Sequence, residues 1–159
     1  MNDILYTNLL TAKPEWIDHN GHVNLGYFVI AFDQATDAVY EQWGLGLDYP
    51  DGSGCSVFTL GINVDYLGEL FEGDPIRITT QLVDCDSKRI HYFHHMYHGE
   101  TSNLVARNEC LCMNVNLESR KSAPFPESVM EKLSAAHAAH RVNGTPEGFG
   151  RSLQIRRGQ

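Results

Sequence analysis

Basic residues are scarce in this sequence. Its 159 residues hold 12 Lys and Arg against 20 Asp and Glu, a formal net charge of -8. Neutralising a phosphate backbone needs a basic face, so nucleic-acid binding is excluded as the main function. An anionic ligand held in a local basic pocket is not excluded. Long apolar runs are missing as well. No stretch approaches the roughly 18 consecutive apolar residues of a membrane-spanning helix. The opening MNDILYTNLL has neither a basic n-region nor a signal-type apolar core. The expectation is a cytoplasmic protein with no membrane partner. Cysteine is sparse: Cys55, Cys85, Cys110 and Cys112. None forms a CxxC pair suited to zinc, and Cys110 and Cys112 sit two apart on one face of a strand-like run, poor geometry for bridging each other. Buried free thiols are expected.

A hydrophobic fraction of 42% with 20% charged residues belongs to a globular chain, which excludes wholesale disorder. The length fits one domain with a real core and leaves little room for a second. The organising stretch runs from Trp16 to Gly44. A polar loop carrying Asp18, His19, Asn20, Gly21, His22 and Asn24 gives way abruptly to Leu25-Gly26-Tyr27-Phe28-Val29-Ile30-Ala31-Phe32. A helix apolar all round is a buried helix. Asn24 suits its N-cap and Gly44 its C-terminal stop, which predicts a helix over Leu25 to Trp43. A carboxylate and two imidazoles thus precede the positive end of a helix dipole, where negative charge developing on an electrophile is stabilised. Asp33, Asp37 and Glu41 line one face of the helix's second half.

Strands are expected on either side. Ile4 to Ala12 reads as the first, and Gly44 to Gly54 as a Gly/Asp/Pro loop. From Ser56 the period is two: Phe58, Leu60, Ile62, Val64 and Tyr66 face one way, and Thr59, Gly61, Asn63 and Asp65 the other. Ile76 to Leu82, Arg89 to His98 and Leu104 to Leu117 are further strands, and Glu127 to His140 a terminal helix. The order β-α-β-β-β-β-α predicts an α+β fold, an antiparallel sheet wrapped around the long helix. Residues 1–140 form one domain in this reading. Residues 141–159 form a Gly- and Arg-rich extension whose Gly148 to Arg157 segment docks on the body or on a neighbouring subunit. The all-round apolar helix asks for a strongly curled sheet or a second copy. His91, His94, His95 and His98 would share a stripe on a helix, but interleaved with Tyr92, Phe93 and Tyr97 they read as a strand that splits them, His91 and His95 from His94 and His98.

The motif Asp18-His19-Asn20-Gly21-His22-Val23-Asn24, followed by an apolar helix with Phe28, Phe32 and Asp33, resembles the hotdog-fold acyl-CoA thioesterases (the 4-hydroxybenzoyl-CoA thioesterase-like superfamily). The resemblance covers about residues 4 to 118. More narrowly, WIDHNGH, QATDAV and KRIHYFHHMYH are similar to thioesterases of carnitine and betaine breakdown, which act on CoA esters of trimethylammonium acids. Three positions depart from the family pattern: Leu25 and Gly26 stand where a second Asn and an Ala are common, and the helix acid is Asp33 rather than Glu. The resemblance implies a homodimer or homotetramer with a shared active site, an acyl-CoA substrate, and neither cofactor nor metal.

In that reading Asp18 is base or nucleophile and the Leu25 N–H polarises the thioester carbonyl. The physics supports the second role independently, since N–H groups at a helix start lack intrahelical partners. Asp18 as a turn-capping residue is the alternative. His22 is expected to orient Asp18 or the loop, or to be a hydrogen-bonded structural histidine. Asn24, Tyr27, Asn63 and Asp33 are assigned to substrate binding, with Asp33 and Asp37 the runner-up catalytic carboxylates. Trp16, Tyr27 and Tyr66 are candidates for a cation–π box. Lys88, Arg89, Arg120 and Lys121 are candidates for the CoA phosphates. The alternative functions are a hotdog hydroxyacyl-thioester dehydratase and a non-catalytic acyl-CoA-binding module.

Overall fold

The polar-to-apolar switch at Asn24 starts a 19-residue helix, α1 (Leu25–Trp43). The Asn24 side chain accepts a hydrogen bond from the Gly26 N–H at 3.0 Å, and Gly44 ends the helix in the left-handed region at φ 75°. Both caps act as the residue types predict. The computed structural model describes residues 5–155 of the chain. Within them, strands β1 (Tyr6–Thr11), β2 (Cys55–Tyr66), β3 (Pro75–Cys85), β4 (Arg89–His98) and β5 (Leu104–Asn116) form one antiparallel sheet in the order β1-β3-β4-β5-β2. Ile4, placed in the first strand from sequence, lies outside the described residues. A short helix, α2 (Tyr49–Ser53), precedes β2, and α3 (Glu127–His140) follows β5. Five antiparallel strands against one long helix, with a shorter helix at the end, is the hotdog arrangement of the α+β class.

Alternation along the strands decides what meets α1. Residues directly opposite across an antiparallel pair share a face, so Ile90, Tyr92, His94 and Met96 of β4 lie with Ala106, Asn108, Cys110 and Cys112 of β5 on the helix side. Two clusters fill that side. Phe28, Ala31 and Phe32 pack with Ile76, Ile78 and Met96 near the helix start; Val39 and Trp43 pack with Leu82, Ile90 and Leu133 near its end. The four cysteines are free thiols, three of them buried.

Three expectations are corrected. The Gly44-to-Gly54 loop contains α2, because Pro50 presets the first turn and Gly54, at φ 68°, closes it. The alternation in β2 breaks at Leu60, where the register slips between Thr59 and Gly61. One extra residue reverses every side chain before it: Thr59 joins Ile62, Val64 and Tyr66 on the helix side, and Phe58 joins Gly61, Asn63 and Asp65 on the outer side. Finally, of the two ways to cover α1 the curled sheet fails within one chain, which buries the helix along one stripe and leaves a second copy as the remaining alternative. Leu25 and Ile30 stand 64% and 45% exposed on the side the sheet does not reach.

The outer side of the sheet carries the segment after α3. Gln81 donates to the carbonyl of Gly144 (2.7 Å), the ring of Phe149 packs on His91 (4.5 Å between centroids), and Gly150 N–H donates to Glu109 (2.8 Å). Arg151 pairs with Asp65, which also accepts from Arg107 at 2.6 Å. Arg156 and Arg157, included in the expected docking segment, lie outside the described residues.

Candidate active site

The loop before α1 is a chain of short-range hydrogen bonds. Asp18 Oδ1 accepts from the Asn20 N–H (2.8 Å), and the Gly21 N–H donates to the Asp18 carbonyl (3.0 Å), with Gly21 at φ 83°. Asp18 is therefore the first residue of an Asx-type turn. Its other oxygen, Oδ2, accepts from Asn24 Nδ2 at 3.0 Å. Asn24 then works in both directions, since its Oδ1 caps the helix at Gly26. One amide ties the carboxylate to the helix start. The hydrogen bonds from Asn20 and Asn24 hold the Asp18 carboxyl below the usual carboxylate range, with His22 and His19 adding smaller contributions. At neutral pH Asp18 is an anion with lone pairs to spare. Among the described residues the Leu25 N–H, in the first turn of α1, donates to no acceptor. The arrangement supplies an ionised carboxylate and an unpaired donor at the positive end of a dipole.

The histidines of the loop are turned elsewhere. His22 Nδ1 lies 3.1 Å from the Val23 carbonyl and Nε2 3.9 Å from Glu69, so Asn24, and not His22, makes the side-chain contact to Asp18. Of the readings given for His22, its contacts are those of the hydrogen-bonded structural histidine, with the ring beside Glu69 in the loop after β2. Tyr27 stacks on the buried Trp16 at 5.8 Å, and Lys13 Nζ sits 5.9 Å over the same indole. Tyr66 donates its hydroxyl to the Leu25 carbonyl (3.0 Å) and meets Phe28 edge-on. The expected three-ring box is therefore not assembled: Trp16 and Tyr27 occupy each other's faces, and Tyr66 braces the first turn of α1.

Asn63 and Asp65 lie on the outer side of the sheet, the side opposite α1. Asn63 donates to the Arg151 carbonyl (3.4 Å) and Asp65 pairs with Arg107 and Arg151. Both stand on the face opposite Ile62, Val64 and Tyr66, as alternation predicts, and that face is the outer one, away from α1. Asp33 lies elsewhere again, in a cleft between α1 and the β2 edge, with Val29, Ile30, Ile62, Tyr92 and Asn108. Asn108 is a residue that sequence reasoning missed. It is 3% exposed and its Oδ1 has no hydrogen-bond partner. Nothing in a strand sequence distinguishes an amide that will be left unpaired. Of the basic candidates, Arg89 is held in a fork by Asp86, while Lys88, Arg120 and Lys121 are exposed at the end of the sheet where α1 finishes.

Behind the cleft lies a polar network fully enclosed by the core. Thr36 gives its hydroxyl proton to the Phe32 carbonyl (3.1 Å) and so accepts from His94 Nε2–H (2.9 Å); Thr80 then donates to His94 Nδ1 (2.8 Å). Burial drives the His94 pKa down to about 3, so the imidazole is neutral and its tautomer is fixed by the two threonines. The strand reading of the His-rich segment is right: His94 faces α1 and His91 faces outward, where it meets Glu109 at 2.8 Å. Among the described residues no group of three His, Cys, Asp or Glu side chains is arranged to hold a metal.

Known proteins share both the sequence and the fold. The Thioesterase-like superfamily profile matches residues 12–133. A betainyl-CoA thioesterase from Pseudomonas aeruginosa is 36% identical over 155 residues, 98% of each chain. An L-carnitine dehydrogenase/betainyl-CoA thioesterase from Rhizobium is 32% identical; the match takes in 99% of this chain and 32% of that longer one. Among solved structures, a hypothetical protein from Staphylococcus aureus in complex with CoA superposes with a TM-score of 0.89, at 30% identity over 96% of both chains. Profile, near full-length identity and superposition agree with a capped helix laid on a five-stranded sheet, and the chain belongs to the thioesterase-like superfamily.

Proposed function

We propose that this protein hydrolyses a small acyl-CoA thioester to the free acid and CoA, and that the acyl group bears a trimethylammonium head, as in betainyl-CoA. The observation that carries the reaction is the Asp18–Asn24–helix-start unit. An ionised carboxylate is tied through one amide to the first turn of α1, where the Leu25 N–H is unpaired. The thioester carbonyl accepts from that N–H. Asp18 then attacks the carbonyl carbon itself or takes a proton from the water that does. In either route negative charge gathers on the carbonyl oxygen at the positive end of α1 and returns as the C–S bond breaks, releasing CoA thiolate; in the covalent route water then cleaves the acyl–Asp18 anhydride to free acid and carboxylate. Asn24 orients Asp18, and Tyr27 and Tyr66 shape the rim. The trimethylammonium head rests on the 36% identity to the Pseudomonas aeruginosa betainyl-CoA thioesterase over nearly the full length of both proteins.

The working unit in this reading is a homodimer or a tetramer of such dimers. β2 is a sheet edge whose Phe58, Leu60 and Ile62 are 40–51% exposed, and an unpaired apolar edge is a template for another strand. Antiparallel pairing of two β2 edges sets opposite ends of the two sheets side by side. The basic loops of one subunit then come near the Asp18 end of the other, which suits CoA phosphates. Residues 1–140 act as the catalytic domain and 141–159 as an extension of it. No described helix is long and apolar enough to cross a membrane, and the assigned setting is the cytoplasm.

The test is release of free thiol from a panel of CoA esters, with size-exclusion chromatography at dilute concentration. Turnover that survives Asp18→Asn sinks the assignment of Asp18, and a stable monomer sinks the shared site. Single turnover in heavy-oxygen water separates the two routes: label entering Asp18 marks the covalent one.

A further inference from the structure

Two amides in a row join Asp18 to the end of β2. The Tyr66 hydroxyl, on the last residue of that strand, donates to the Leu25 carbonyl at 3.0 Å. That carbonyl shares a peptide unit with the Gly26 N–H, which donates to Asn24 Oδ1 at 3.0 Å. The Asn24 amide then donates through Nδ2 to Asp18 Oδ2, again at 3.0 Å. Every link runs the same way, from phenol to peptide to side-chain amide to carboxylate. The orientation of Asn24 is forced at both ends, because an ionised carboxylate only accepts and a backbone N–H only donates. A carbonyl has two lone pairs, so that of Leu25 can serve the tyrosine and the helix ladder together. In such a chain each hydrogen bond polarises the next, by roughly 10–30% per bond in condensed phases.

Tyr66 gives this chain its anchor in the sheet. The donors to the Asp18 carboxylate and the cap on Gly26 come from the loop itself, whereas Tyr66 reaches Leu25 across 41 residues of sequence. Its ring meets Phe28 edge-on at 5.4 Å between centroids, so hydroxyl and ring together grip the first turn of α1. The preceding residues of β2 are held from the outer side of the sheet, where Arg151 donates to the Val64 carbonyl at 3.1 Å and pairs with Asp65. A functional group supported on a fixed strand end holds its geometry better than one on a free loop. Burial pushes the Tyr66 hydroxyl above its ordinary range, so it stays protonated and remains a donor at neutral pH.

We propose that Tyr66 is a positioning residue for the hydrolysis, acting on Asp18 through the Leu25–Gly26 peptide and the Asn24 amide. It fixes the turn that carries the Leu25 N–H, and it strengthens the Asn24 donor that holds the carboxylate. One hydroxyl thereby sets the electrophile's donor and the attacking group in a common frame. The role rests on the thioesterase reading for its chemistry, though the relay itself can be tested without turnover. The titratable groups that act on Asp18 are His19 and His22, with Glu69 beyond His22 at 3.9 Å, and none of them is linked to Tyr66 among the described residues.

Tyr66→Phe in the full-length oligomer removes the hydroxyl and keeps the ring on Phe28. Thiol release from betainyl-CoA is expected to fall about 3- to 10-fold in kcat, with KM unchanged to within about twofold. NMR reads the relay directly: the Asn24 side-chain amide protons shift upfield, and the Asp18 carboxyl titrates closer to its ordinary 3.8 than in the wild type. Tyr66→Leu, which also removes the ring, is expected to lower Tm further while leaving the Asp18 titration where Tyr66→Phe puts it. 3-Fluorotyrosine at position 66, a stronger donor, is expected to restore kcat and to carry the Asp18 titration below that of the wild type. Asn24 and Asp18 signals unmoved by Tyr66→Phe overturn the proposal, whatever the Tm. So does a loss confined to KM, which would make Tyr66 a contact of the substrate. If no ester is hydrolysed and Tyr66→Phe still moves the Asp18 titration, the relay stands and the thioesterase reading fails.

Discussion

Two carboxylates flank the same helix in opposite circumstances. Asp18, in the loop ahead of α1, is held by one backbone and one side-chain donor and is depressed in pKa. Asp33, at the cleft on the helix's outward face, has no donor and no counter-ion among the described residues. A carboxylate whose geometry is fixed by its own chain is ready to act on a reacting atom. One left bare is ready to receive a charge from outside. The contrast teaches that one negative charge is set by local hydrogen bonds and the other is left open to whatever meets the helix's outward face.

The comparison breaks most visibly at Asp18. Asp18→Asn keeps the size and part of the hydrogen bonding but loses the charge, and thiol release is expected to fall by about 100-fold or more. A smaller fall than that seen for Asp33→Asn would reverse the roles of the two acids.

Asn24→Ala removes the donor to Asp18 and the helix cap together. Stability is expected to drop by about 1 kcal/mol, and kcat by roughly 10- to 100-fold from the misplaced carboxylate. The pH profile sharpens the point. Because the folded Asp18 titrates below its ordinary value of 3.8, its ionised form is the one the fold favours. That contribution is complete above the unfolded value and is lost as pH falls through the lower folded one. The acid limb of kcat/KM is expected below pH 3.8 in the wild type and nearer that value in Asn24→Ala. An unmoved limb would mean that Asn24 does not tune Asp18.

Thr36→Val probes the satisfied side of the cleft against its orphaned side. Thr36 accepts from the buried His94, so its loss leaves an imidazole N–H unpaired, at a cost of about 1–3 kcal/mol in denaturant unfolding. Asn108→Leu at the facing wall is expected to do the reverse. Equal and opposite shifts would show that pairing, and not packing, sets the cost at these two positions.

The smallest effect belongs to Asp37. Burial raises its pKa, with Asp33 and then Glu41 adding repulsion, so its ionised form is disfavoured by the fold and stability declines as pH rises through the folded value. Asp37→Asn is expected to raise stability at neutral pH by no more than about 0.5 kcal/mol and to lose its benefit in acid. A destabilised variant would show that Asp37 has a partner in the oligomer.

Much of the fold is legible in the residues themselves. Asn24 and Gly44 bracket α1 because capping is local chemistry, and Arg89 to His98 is a strand because its aromatics fit a pleated surface. The Asp18 unit is nearly as local: its turn, its amide partner and the helix start all lie within nine residues. Its contacts are therefore decided by sequence. What was not legible depends on register. A single bulge at Leu60 sends Phe58 to the outer side and brings Thr59 inward, and periodicity has no means of announcing one extra residue.

The chain's sequence by itself determined the helix, its caps, the number and order of the strands, and a carboxylate poised at the helix start, because each follows from interactions between near neighbours. Only the tertiary structure decided that Trp16 and Tyr27 cover each other, that His22 turns to Glu69, and that Asp33 and Asn108 share a cleft. Asp33 and Asn108 lie 75 residues apart. Whether a buried amide oxygen finds a donor depends on every element packed around it, and that is settled only when the helix has been laid on the sheet.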